Sequence, residues 1–509
     1  MLDKRCAGVL MHVSSIPSPY GIGVFDKNCI SFIDKLKEMD FGYWQVLPFN
    51  PVDNANSPYC SSSAFAGNFM FIDPQSLYEV GLCTKQDVEE NIYSGSPYTA
   101  DYEFAGEKRL SLLKKAFLNI DSETAGKVKL FEEENPWVVD FSLFMALKEE
   151  YSQSAWWEWD EEYARYDLFI KKHRYDFEER SAFWRFVQYL FFEQWKSIKD
   201  YANKNGIAVI GDMPIYVAMD SVDVWSNFSQ FKIDEKTLKP SKVAGVPPDY
   251  FSEDGQLWGN PLYDWDKMDA DGYSWWLSRL ENSLKIYDIV RIDHFRAFAS
   301  YWEIPADSET AKTGEWATGP RMKFFNKVFE HFPDAPIIAE DLGIFGEDVI
   351  QLLEDTSFPG MKVVQFGFNP DGDSSHLPHN ADKNSVNYVG THDNNTILGW
   401  LWEADERQRA FALDYIGYEN GNWGDGGYYS GSCRKVIEAV WKSSSNTAIV
   451  AFQDMCGFGS DARMNIPSVP EKNWRFRTTI ETINSIDTEY FKKINSVYRR
   501  TYPAFAKKD

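Results

Sequence analysis

The chain reads as an α/β protein built on a (β/α)8 barrel, with large insertions over the C-terminal face of the barrel. Two observations predict this. Eight short apolar runs recur along the 509 residues, most of them continuously apolar and rich in Val and Ile, as parallel strands buried on both faces are. Helical patterns separate most of the runs, and strand–helix alternation of this kind closes into a barrel.

The strands are expected at Cys6–Val13, Tyr43–Phe49, Ala208–Ile215, Asp288–His294, Pro336–Asp341, Met361–Phe368, Val386–His392 and Thr447–Asp454. Between the first two, Ile30, Ile33, Leu36 and Met39 form a stripe at helical spacing, followed by Gly42. Before the third strand, Phe183, Phe186, Val187, Leu190, Phe191 and Trp195 form another, and Asn205-Gly206 is a good C-cap pair. About 150 residues separate the second strand from the third. That interval contains a helical pattern at Phe141–Tyr151 and the cluster Trp156-Trp157-Glu158-Trp159. The expected division is therefore a barrel over residues 1–51 and 180–509, with long loops at 218–274 and 394–445. Residues 52–179 are expected to form an inserted, mainly helical subdomain.

Composition narrows the function. The net charge is −25, from 52 basic and 77 acidic residues, so the basic footprint of a nucleic-acid binder is missing. No stretch approaches the roughly 20 apolar residues of a membrane span. The N-terminal apolar run soon meets His12 and Ser14 and reads as a buried strand, not a signal peptide. The six cysteines form no C-x-x-C pair, which suits reduced thiols in a cytoplasmic protein. Aromatic residues reach 16%, with 19 Trp; most are expected in the core, but flat rings also make platforms for sugars. Gly21-Ile22-Gly23 lacks the third glycine of a dinucleotide fingerprint, and Gly424–Gly427 has no following Lys-Ser or Lys-Thr. No metal site and no cofactor are implied.

Active sites on barrels of this kind lie at the C-terminal ends of the strands. The fourth strand ends Arg291-Ile292-Asp293-His294, the fifth ends Ala339-Glu340-Asp341, and the seventh ends Gly390-Thr391-His392-Asp393. One strand-ending carboxylate is usually a helix cap; three at one end of a barrel, with Arg and His beside them, point to chemistry. Glycoside cleavage needs such a set: one carboxylate attacks the anomeric carbon and a protonated second one serves the leaving oxygen. Retaining enzymes hold these two about 5–5.5 Å apart. Neighbouring strands about 4.8 Å apart supply that spacing. Arg291, two residues before Asp293, points to the same face and should keep Asp293 ionised. Asp341 points the other way and reads as structural.

The sequence resembles the amylomaltases and disproportionating enzymes of glycoside hydrolase family 77, relatives of the α-amylases. The segments that carry the resemblance span nearly the whole chain. They include Ser57-Pro58-Tyr59, Phe144–Lys148, Trp156–Trp159, Gly211–Val217, Gly245-Val246-Pro247-Pro248-Asp249-Tyr250-Phe251, Gly255–Pro261, Val290–Arg296, Ala339–Gly343, Gly390–Asn395 and Asn473–Arg477. The resemblance implies a 4-α-glucanotransferase that uses Asp293 as nucleophile, Glu340 as general acid/base and Asp393 to grip sugar hydroxyls. It further implies substrate contacts from Tyr59, Asp249, Phe251, Gln256, Trp258, Arg291, His294, His392 and Asn465, with Gly245–Phe251 closing over the sugars. The implied partners are maltooligosaccharides and α-1,4-glucans as donors, and glucose or maltodextrin as acceptor. After the sixth strand the family often carries an acidic residue facing a donor sugar; here the run is Phe368-Asn369-Pro370-Asp371. An α-amylase-like hydrolase would keep the same three carboxylates. A non-catalytic glucan-binding barrel would normally have lost one, and none is missing.

Overall fold

The structure, a computed structural model, describes residues 2–248, 253–343, 346–467, 469 and 471–501. All eight expected strands are present: β1 (Cys6–Leu10), β2 (Tyr43–Gln45), β3 (Ala208–Met213), β4 (Ile289–Ile292), β5 (Ile337–Ala339), β6 (Gly360–Val363), β7 (Ser385–Tyr388) and β8 (Thr447–Ala451). They pair in parallel in the order β5-β4-β3-β2-β1-β8-β7-β6. The Ala339 amide donates to the Pro359 carbonyl (3.0 Å), joining β5 to the approach of β6 and closing the ring. The fold is a (β/α)8 barrel.

Every strand ends earlier than its apolar run. Val364–Gly367 and Phe452–Asp454, read as strand, fall in single helical turns. The apolar character continues because these residues still pack inward, while the backbone leaves the ladder to build the mouth. The helix Glu178–Lys204 buries all six residues of its expected stripe, and Asn205 caps it before Gly206 at φ +82°. In Lys27–Glu38 the stripe is shifted: Cys29 and Phe32 join Ile33 and Leu36 in the core, and Ile30 is only half-buried.

Residues 52–179 carry helices at Pro74–Glu79, Tyr102–Phe117, Ser122–Glu134 and Trp137–Glu150. Their apolar faces belong to the same continuous core as the barrel. Trp156 and Trp159 are buried, and Trp156 donates to the Met219 carbonyl (2.7 Å), so they serve packing.

The interval 218–274, expected as a long loop, contains a short antiparallel pair, Ile233–Asp234 with Lys239–Pro240, and two strands of a larger sheet. Lys242–Val246 and Gln256–Pro261 join Ser300–Pro305 and Glu315–Thr318 in a four-stranded antiparallel sheet. Val243, Ile304 and Ala311 give it a small core of its own, capped by Trp302. The short strand Lys242–Val246 carries little strand patterning, and its central partner lies some sixty residues downstream, so the pairing was invisible locally.

Candidate active site

The register of β4 and β5 pairs Ile292 with Ala339, which puts Asp293 and Glu340 side by side, one residue past the ladder. The Glu340 amide donates to the Ile292 carbonyl (3.0 Å) and the Asp293 amide to the Met213 carbonyl (3.0 Å), so both backbones are held at the rim. Glu340 is 8% exposed. Its Oε2 accepts from the His294 amide and its Oε1 from the Leu342 amide, each at 2.7 Å. His294 can aim its amide this way because it adopts the left-handed conformation, φ 50° and ψ 45°. Its ring meets Trp258 edge-on with centroids 4.9 Å apart. Burial and the nearby Arg296 push that imidazole down to about 3, so it stays neutral.

Arg291 lies beneath the pair, 3% exposed. Its Nη1 is 2.7 Å from both carboxylate oxygens of Asp212 and 3.0 Å from Asp293 Oδ1. Asp212 was assigned no role from the sequence, although it is the penultimate residue of β3 and pairs in register with Arg291 on β4. A carboxylate near the C-terminal end of an apolar strand was the available signal. Asp212 also accepts from the Tyr59 hydroxyl (2.7 Å). A side chain on the preceding Gly211 would strike the Tyr287 ring, its Cβ 2.0 Å away, so only glycine lets the strand sit there.

The shared cation corrects one expectation. Arg291 serves two carboxylates, so it only partly offsets the burial that pushes the Asp293 carboxyl up to about 8. Burial also raises Glu340, against the pull of Arg291 and its two backbone donors. Burial thus favours a retained proton on this pair of carboxyls, as glycosidic acid catalysis requires.

Opposite this pair, β7 delivers His392 and Asp393. Asp393 Oδ1 accepts from Asn465 Nδ2 (2.6 Å) and lies 3.3 Å from His392 Nε2. Arg463, also unassigned from the sequence, donates to the Asp393 carbonyl (2.6 Å). His392 stacks on Tyr59 with centroids 5.1 Å apart and leans on Trp474 at 5.8 Å. Burial lowers its pKa, which favours the neutral ring. Gln256 and Trp258 rise on the antiparallel sheet, where Trp258 Nε1 donates to Gln256 Oε1 (3.1 Å) and the ring is 38% exposed beside Tyr216. Asp249 and Phe251 lie outside the described residues.

Thus Tyr59, Arg291, Asp293 and Glu340 share one cluster, His392, Asp393 and Asn465 reach it through Tyr59, and His294, Gln256 and Trp258 border it through Glu340. Asp341 turns away as expected: its Oδ1 accepts from the Met361 amide on β6. Asp371 is exposed and pairs with Arg407. Among the described residues no cluster of three or more His, Cys, Asp or Glu is arranged to hold a metal ion.

Comparison with known proteins gives this arrangement its context. A family profile described as 4-alpha-glucanotransferase matches residues 11–482. The 4-alpha-glucanotransferase of Clostridium butyricum is 42% identical, over 96% of this chain and 99% of that one. That of Streptococcus pneumoniae serotype 4 is 44% identical, over 98% of each. The amylomaltase of Streptococcus agalactiae, solved in complex with acarbose, superposes with a TM-score of 0.93 at 39% identity, covering 98% of this chain and all of that one. Similarity of this extent, on a barrel whose rim brings paired carboxylates together, leaves one assignment: the chain belongs to the 4-α-glucanotransferases of glycoside hydrolase family 77.

Proposed function

We propose that the protein transfers α-1,4-glucan segments to the 4-hydroxyl of an acceptor glucose or maltodextrin by double displacement, with Asp293 as nucleophile and Glu340 as acid/base. The observation that carries this is the placement of the two carboxylates side by side on neighbouring strand ends. An Asp293 oxygen attacks the anomeric carbon while Glu340 gives its proton to the glycosidic oxygen. That C–O bond breaks, an ester to Asp293 forms, and the reducing-side chain leaves. The Glu340 carboxylate then takes the proton of an acceptor 4-hydroxyl. The acceptor oxygen attacks the same carbon from the vacated side, the ester breaks, and the α-configuration is retained. Arg291, which lies against Asp293, steadies it as a leaving group. Asp393, with Asn465 and His392, offers acceptors and donors to ring hydroxyls, and its charge favours the oxocarbenium-like transition state. Trp258 supplies an acceptor platform that competes with water.

The proposed location is the cytoplasm. None of the six cysteines is in a disulfide, five of them are buried, and no described helix is long and apolar enough to cross a membrane.

Incubation with maltotriose tests the reading. The expected products are glucose and a ladder of longer maltooligosaccharides, with total reducing ends nearly constant. Reducing ends rising in step with donor loss would make the protein a hydrolase.

A further inference from the structure

The helix Ile397–Glu403 begins just after Asp393 and carries two tryptophans of opposite fate. Trp400 turns inward onto Phe368, with centroids 5.2 Å apart. Trp402 turns outward and is 48% exposed. Its indole is nevertheless fixed. Nε1 donates to the Gly424 carbonyl (3.1 Å), and the backbone at Gly459 lies against the ring: a Cβ there would stand 2.3 Å from Cζ3. The result is a rigid flat plate, backed by main chain and open to solvent.

The rim of the plate is acidic. Glu403, Asp425 and Asp461 are all exposed. Neighbouring arginines are already engaged. Arg407 pairs with Asp371, and Arg409 lies over Trp423 at 4.6 Å. Arg463 donates to the carbonyls of Asp393 and Asn465. An apolar plate ringed by hydrogen-bond acceptors repels phosphates and carboxylates. It suits a neutral ligand with C–H faces and many hydroxyl donors. The plate is also coupled to the catalytic rim, because Asn395 Nδ2 donates to Ser460 Oγ (2.9 Å), which donates to Glu403 Oε1 (2.9 Å).

We propose that Trp402 is an outlying platform for an α-1,4-glucan chain, engaged by long substrates and not by short ones. This rests on the glucanotransferase reading. It extends that reading by naming a determinant of chain-length preference outside the catalytic cluster.

The test compares the full-length protein with Trp402→Ala and Trp402→Phe. Binding is read from retardation in native gels containing amylopectin, and activity from kcat/KM on maltotriose and on long amylose. Trp402→Ala should lose roughly tenfold in apparent amylopectin affinity and in kcat/KM on amylose, the size of one lost stacking contact. Its maltotriose kinetics should match the parent, and Trp402→Phe should recover most of the loss. Parental amylopectin binding by Trp402→Ala would overturn the proposal, as would an equal loss on maltotriose. So would a concentration-dependent dimer that Trp402→Ala converts to monomer, since the face would then be an interface between copies. If the unsubstituted protein fails to disproportionate maltotriose, the underlying reading has failed, and that is seen before any variant is compared.

Discussion

Replacing Asp212 with Asn changes one charge beneath the nucleophile and almost no volume. Asp212 and Asp293 both contact Arg291 Nη1, at 2.7 Å and 3.0 Å, so their nearest oxygens lie within about 6 Å of each other. At an effective dielectric of about 20, two like charges at that distance repel by about 3 kcal/mol, or roughly two pKa units. Asp212 is one of the groups that raise Asp293. Removing its charge also leaves the whole Arg291 cation to Asp293. The pair should therefore release its retained proton at lower pH. In a maltotriose assay followed from about pH 5 to 10, the alkaline limb of kcat/KM should move down by about one to two units. Activity at the optimum should also fall roughly 10- to 100-fold, because a charge-assisted contact to Arg291 or to the Tyr59 hydroxyl is lost. An alkaline limb that stays in place or moves up would refute the electrostatic account of the site.

Two further outcomes follow from groups outside the pair. Asp454 is buried beyond β8, accepts from the Ile397 amide (2.7 Å), and burial raises its carboxyl from 3.8 to about 7. Stability from a raised group is fully present below 3.8 and is lost as pH rises through 7, so Asp454→Asn should stabilise the protein by a few kcal/mol at pH 8 and little at pH 4; thermal unfolding at both pH values checks this, and equal shifts would contradict it. Asp371 and Arg407 are about two-thirds exposed, so Asp371→Asn should leave kcat/KM on maltoheptaose within about twofold of the parent; a large rise in KM would give Asp371 the donor-site role.

The barrel was legible in the sequence because strands buried on both faces write continuous apolar runs, which turn and loop geometry cannot disguise. Their ends were less so. At the C-terminal rim, residues such as Val364 and Phe452 remain apolar after the ladder has stopped. Asp293, Glu340 and Asp393 were readable since each ends such a run and matches a family segment. Asp212 lies within such a run, and its role depends on meeting Arg291 and Tyr59 from elsewhere in the chain, which no local pattern reveals. The antiparallel sheet that raises Trp258 was hidden for the same reason: its pairs join Lys242–Val246 to residues beyond Ser300. The raised carboxyls of Asp293 and Glu340 were half legible. Arg291 could be seen to favour ionisation, but not that it is divided between two carboxylates.

The central claim is that Asp293 carries the glycosyl group and Glu340 moves the proton. It is tested most directly by trapping the intermediate in Glu340→Gln. An α-glycosyl fluoride leaves with little acid assistance, so the first step should proceed, and the amide cannot activate an acceptor for the second. Mass spectrometry of the denatured, digested protein should find one added sugar on the peptide containing Asp293, and none when Asp293→Asn is introduced as well. An adduct on Asp212 or Asp393, or no adduct at all while the fluoride is turned over, would contradict the account.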